Sequence, residues 1–171
     1  LLQLKSIDKV FYSVKANFNA HLLKVIYDEN LNFECVSIHE TDYLQKLFPN
    51  IDPKRILFTP NFAHKDEYKK ALERGYYLTI DSLYPLTHWG EMLKNKSVLL
   101  RMDPGTGTGH RKYVSTTGDE SKFGITIHDI PEAKKLILQH QIHLHKTRFF
   151  LDNVLLVNIY YLTPEKNLMQ L

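Results

Sequence analysis

Residues 11–17 read Phe-Tyr-Ser-Val-Lys-Ala-Asn, and Lys15 is the side chain in this protein best placed to do chemistry. A short β-prone run from Val10 to Val14 delivers the lysine to a strand end, and the following segment, Asn17 to Tyr27, has helical character. An amine held at a strand-to-helix junction can be shielded, lose its proton and attack an aldehyde to form a Schiff base. A lysine at a strand end is more often a solvated charge, so the rest of the chain must decide between the two.

The elements that would position Lys15 recur along the chain. Runs rich in β-branched or aromatic residues begin near Val10, Asn32, Arg55, Tyr77 and Val98, at intervals of 22, 23, 22 and 21 residues. Between them lie stretches of helical periodicity. Leu22, Leu23, Ile26 and Tyr27 share one face, as do Tyr43, Leu44, Leu47 and Phe48. Tyr68, Ala71 and Leu72 form a third stripe ended by Gly75, and Leu83, Leu86 and Trp89 to Leu93 form a fourth. Asp129, Pro131 and Glu132 should open a fifth helix with a cap, a first-turn proline and a capping-box acid. Strands alternating with helices imply an α/β fold with a parallel sheet and right-handed crossovers. The regular interval favours a (β/α)8 barrel, which in full has eight units in about 250 residues. This chain has five clear units and a sixth strand near Ile142 to His145, so the expected fold is a partial barrel of five to six βα units.

Composition narrows the function classes. The 171 residues carry a net charge of +3, too little to imply a nucleic-acid or membrane partner. The longest apolar stretch, Val154 to Leu162, is interrupted by Asn158 and falls short of the roughly 20 residues a spanning helix needs. Cys35 is the single cysteine, so no internal disulfide forms and a reducing, cytoplasmic setting is expected. Within the apolar run Phe33 to Val36 it reads as a small core residue. The opening Leu-Leu-Gln-Leu-Lys-Ser has no signal-peptide pattern, and the lack of an initiator Met suggests that an upstream part is missing.

Six segments then occur in order: FYSVKANFN (11–19), NFECVS (32–37), RILFTPNFA (55–63), TIDSLYPLTHWG (79–90), LLRMDPGTGTGH (99–110) and SKFGI (121–125). Together they resemble the barrel domain of the diaminopimelate and ornithine decarboxylases, enzymes of the alanine-racemase-like fold type. The wording FTPNFA and PLTHWG, followed by GHRKYVSTTG, is closest to the decarboxylase part of bifunctional aspartate kinase/diaminopimelate decarboxylases. The resemblance covers roughly residues 7–145. It implies pyridoxal 5'-phosphate as cofactor, the aldehyde that most often needs such a lysine. The implied reaction is decarboxylation of meso-diaminopimelate to L-lysine.

Carried over position by position, the resemblance makes Lys15 the Schiff-base lysine. Glu34 stands where the family usually has an aspartate near the cofactor, Arg101 matches an arginine beside the ring, and His145 matches a histidine stacked on it. Full-length relatives are expected to be homodimers acting on a small amino-acid substrate, with no nucleic acid and no membrane. After His145 the chain reads Lys-Thr-Arg-Phe-Phe where the family has glycine and serine. We therefore expect residues 1–145 to be the N-terminal part of the barrel and 146–171 to be an unmatched, out-of-frame or unrelated tail. A fragment of this kind, lacking the family's later phosphate loop, pyridinium acid and second domain, is expected to be inactive alone. The alternatives are an inactive truncated gene product and a single-barrel cofactor-binding homeostasis protein.

Other motifs carry less. Gly105-Thr-Gly-Thr-Gly109 lacks the dinucleotide-binding spacing and reads as a βα loop, with His110, Arg111 and Lys112 as loop charges. His143 and His145 would share a strand face, and His140 lies nearby, but four donors are not at hand and no metal is expected. Glu40 and Asp42 read as helix-dipole acids and Asp81 as a turn or cap residue.

Overall fold

The computed structural model describes residues 9–103 and 124–149, with side chains through Leu144. It divides into two compact units, Leu1–Thr79 and Ile80–Leu171. Both alternate strand and helix, as the sequence leads one to expect.

In the first unit, β1 (Phe11–Ser13), β2 (Asn32–Cys35), β3 (Ile56–Phe58) and β4 (Tyr77–Ile80) are parallel neighbours in chain order. The register aligns Tyr12, Phe33 and Ile56 in one row and Cys35, Phe58 and Leu78 in another. These rows face the helices α1 (Ala20–Asp28), α2 (Ile38–Leu47) and α3 (Lys65–Glu73). Phe33 lies 6.0 Å from Phe48 at the end of α2, and Phe58 meets Tyr68 of α3 edge-on at 6.3 Å. Alternation then puts the row Ser13, Glu34, Leu57 and Tyr77 on the opposite face, away from the helices. Because both faces are covered, these strands read as nearly unbroken apolar runs.

Local chemistry fixes the helix ends. Asn19 caps α1, its side chain accepting from the N–H groups of His21 and Leu22; such a cap is worth about 1 kcal/mol. Gly75 closes α3 with φ +76°, a conformation that costs other residues about 1–2 kcal/mol.

In the second unit, β5 (Ser97–Asp103) pairs in parallel with β6 (Ile125–Thr126) and with β7 (His143–Phe149). The anticipated fourth helix is broken at Trp89 into α4 (Leu83–His88) and α5 (Gly90–Leu93). Gly90 there supports the His140 ring, leaving no room for a Cβ, which would stand 2.3 Å from ring atoms. His140 is thereby a packing residue at the end of α6 (Ile130–Gln139). The cap expected at Asp129 is not made. Its carboxylate accepts from the Thr126 hydroxyl at 2.9 Å, and Glu132 pairs with Lys135 instead of closing a capping box. The boundary expected between residues 145 and 146 falls inside β7, whose pairing with β5 runs on to Phe149. No helix among the described residues is long and apolar enough to cross a membrane.

Candidate active site

Strand β1 ends at Ser13, and Lys15 sits in the single 3-10 turn that follows, Val14–Ala16. Val14 is wholly buried and pins the turn, while the Lys15 side chain is exposed. The shielding anticipated for this amine is thus not supplied by the described residues. Parallel strands place Lys15 at the C-terminal edge of the sheet, the edge where barrel enzymes keep their chemistry.

Two carboxylates belong to the same edge. Glu34, buried at 3% exposure, is in register with Ser13 on the helix-free face. Glu40, in the first turn of α2, folds back so that its Oε2 accepts the Val36 N–H at 2.7 Å. Ser37 caps the same helix by accepting from the Glu40 N–H, a reciprocal arrangement of the capping-box type. Burial pushes the Glu40 carboxyl above its usual range; the Val36 bond and the positive charge of Lys15 pull it down, and Glu34 pushes it up. Lys15, Glu34 and Glu40 are therefore electrostatic neighbours around one strand end. Cys35, behind them on the helix face, is buried, and its thiol is raised by burial and then by Glu40 and Glu34. It is a core thiol, as the sequence suggests.

The remaining candidates lie in the second unit. Arg101 is 5% exposed on β5, two residues before the buried Asp103, so the two share a strand face. Asp81 is also buried, and its carbonyl accepts from the Gly124 N–H at 2.9 Å. It is not the helix cap that the sequence suggests, since Ser82 occupies that position. The backbone of His145 lies in β7, but its side chain falls outside the described residues, as does the whole of the loop 105–112. No group of three metal-ligating side chains occurs among the described residues.

Sequence reasoning passed over two residues of the Lys15 edge. Glu40 was legible as the fourth member of Ser37-Ile38-His39-Glu40, a capping-box spacing, although its approach to Lys15 was not. Ser13 gave no signal; its Oγ is shielded from solvent and has no hydrogen-bond partner among the described residues.

The raised Glu40 carboxyl has a measurable consequence. The folded chain binds that proton more tightly than the unfolded chain does. This contribution to stability is complete below the ordinary carboxylate range and is lost as pH rises through the raised value. Glu40→Gln stays neutral and keeps an acceptor for Val36, so its stability should fall less than the wild type's between acid and neutral pH. Denaturation profiles that run parallel across that range would contradict this.

The chain matches the model of the pyridoxal-dependent decarboxylase family, pyridoxal binding domain, over residues 2–151. It is similar to the diaminopimelate decarboxylase of Methanothermobacter thermautotrophicus, 31% identical over 131 residues, which covers 76% of this chain and 30% of that protein. The Escherichia coli K12 diaminopimelate decarboxylase is 29% identical over 143 residues, covering 82% of this chain and 34% of the relative. Among solved structures, a diaminopimelate decarboxylase superposes with a TM-score of 0.76 at 27% identity, covering 86% of this chain and 36% of that one. The chain thus spans about a third of the length of the relatives it matches. The likeness agrees with the expected fold class, α/β and part of a barrel.

Proposed function

The chain belongs to the pyridoxal-dependent decarboxylases, and from that membership we propose that it is the lysine-bearing barrel part of an enzyme that decarboxylates meso-diaminopimelate to L-lysine. The observation that carries the reading is the position of Lys15, exposed on a tight turn at the C-terminal end of β1 with the Glu40 carboxyl in its field. The residues present fit pyridoxal phosphate. An amine open to an incoming aldehyde, a buried and a half-buried acid at the same edge and an unsatisfied hydroxyl on Ser13 are what a polar aromatic aldehyde could engage.

When bound, that cofactor supplies an electron sink for the pair left behind as carbon dioxide departs. The protein's own part is positional. Lys15 would hold the group covalently through its side-chain amine. We assign Glu40, whose carboxyl burial raises, to holding a proton within the field of the Lys15 amine. Glu34, in register with Ser13, adds a second carboxyl to the same edge. We assign Arg101 to charge tuning beside the ring and His145 to stacking on it, both by family resemblance. The homodimeric state and cytoplasmic location of full-length relatives are likewise part of this proposal.

The test exchanges residues 9–149 for the matching barrel segment of the Escherichia coli relative. Carbon dioxide release is then measured from meso-diaminopimelate, ornithine and arginine. Circular dichroism and cofactor absorbance check that the chimera is folded and loaded. Turnover of diaminopimelate above the other two supports the reading. A folded, loaded chimera that prefers ornithine or arginine, or turns over none of them, contradicts it. The 171-residue chain alone should release carbon dioxide no faster than free pyridoxal phosphate at equal concentration.

A further inference from the structure

We propose that Ser13 is a further cofactor-binding residue, its hydroxyl hydrogen-bonding an anionic oxygen that flanks the aldehyde carbon held by Lys15. This rests on the reading of Lys15 given above. The Ser13 Oγ is shielded from solvent yet has no hydrogen-bond partner among the described residues. Such a group costs about 1–3 kcal/mol relative to a satisfied one, and folded proteins leave very few. Its place in the fold is specific. Ser13 is the last residue of β1, its Oγ makes no cap bond to the turn that carries Lys15, and its register partner is the buried Glu34.

The register partner Glu34 does not hydrogen-bond this hydroxyl. A ligand attached at Lys15 is drawn to this strand end, because the lysine is two residues along the same chain and its charge already reaches Glu40 across β2. In pyridoxal phosphate both oxygens next to the aldehyde, the ring phenolate and the phosphate ester, are anionic acceptors. Ser13 is a donor that can serve either, once the ligand displaces the groups now covering it. The unsatisfied hydroxyl is then a cost that binding removes.

Three chains test this: wild type, Ser13→Ala and Ser13→Thr, all as the full 171 residues. Thermal unfolding without ligand and equilibrium binding of pyridoxal phosphate and of pyridoxal, read by absorbance, are measured for each. Removing an unsatisfied hydroxyl should raise the melting temperature of Ser13→Ala, while its affinity for pyridoxal phosphate should fall about tenfold, the usual worth of a hydrogen bond to a charged group. Ser13→Thr, which keeps the hydroxyl, should retain wild-type affinity within about threefold. A loss confined to pyridoxal phosphate identifies the phosphate as the acceptor, and a loss with both ligands identifies the phenolate. A stabilised Ser13→Ala that binds both ligands as wild type does overturns the inference and leaves the reading of Lys15 standing. Failure of the wild type itself to form an adduct at Lys15 overturns both.

Discussion

Gly124→Ala should destabilise the second unit by about 2–5 kcal/mol, the sum of backbone strain and overpacking. The glycine is the fourth residue of the SKFGI segment and has φ +90°, a conformation that L side chains rarely adopt. A Cβ there would stand 2.9 Å from the Asp103 backbone nitrogen and 3.2 Å from the Met102 carbonyl carbon. Neither is a side chain that can swing aside, because both belong to β5 where it pairs with β6. The Gly124 N–H is also committed to the Asp81 carbonyl, so the loop cannot rotate away without losing that bond. Urea denaturation followed by far-ultraviolet circular dichroism measures the cost. A variant within about 0.5 kcal/mol of wild type, the range of an ordinary surface change, would show that the close approach is not real.

The second large effect concerns Lys15. Lys15→Ala should abolish the visible absorbance of the lysine-bound cofactor and the borohydride-stable attachment, while changing stability by no more than about 0.5 kcal/mol, because the side chain is exposed. The same substitution removes the positive charge that pulls the Glu40 carboxyl down, so Glu40 should titrate higher still. Carbon-13 chemical shifts of the glutamate carboxyls would follow it. Loss of attachment with an unmoved Glu40 would mean that the two groups are not neighbours. An upward shift of Glu40 with attachment retained would mean that another lysine takes the cofactor.

Much of this arrangement was legible in the sequence because the repeat is local. Strand starts near residues 10, 32, 55, 77 and 98 compare with observed starts at Phe11, Asn32, Ile56, Tyr77 and Ser97. Each strand is a short β-branched or aromatic run punctuated by polar residues, and periodicity sees that directly. What it could not see depends on contacts across the sheet. The break at Trp89 arises because the His140 ring, from 50 residues on, packs on Gly90. The idle cap at Asp129 arises because Thr126 competes for its carboxylate. Glu40 looked like a helix-dipole acid, and only the fold-back onto Val36 brings it into the field of Lys15. Ser13 is a two-atom side chain whose interest lies in having no partner, a property that no sequence pattern encodes.

The central claim is that Lys15 is the residue that captures the cofactor. It is tested most directly by loading the 171-residue chain with a stoichiometric amount of pyridoxal phosphate, reducing it with borohydride, and locating the phosphopyridoxyl group by peptide mass spectrometry. The account requires that the label fall on the peptide containing Phe11 to Asn17, at Lys15, and that other exposed lysines such as Lys24 and Lys69 stay essentially unmodified. A label spread over the surface lysines in proportion to their exposure, or concentrated at a lysine elsewhere, would contradict it.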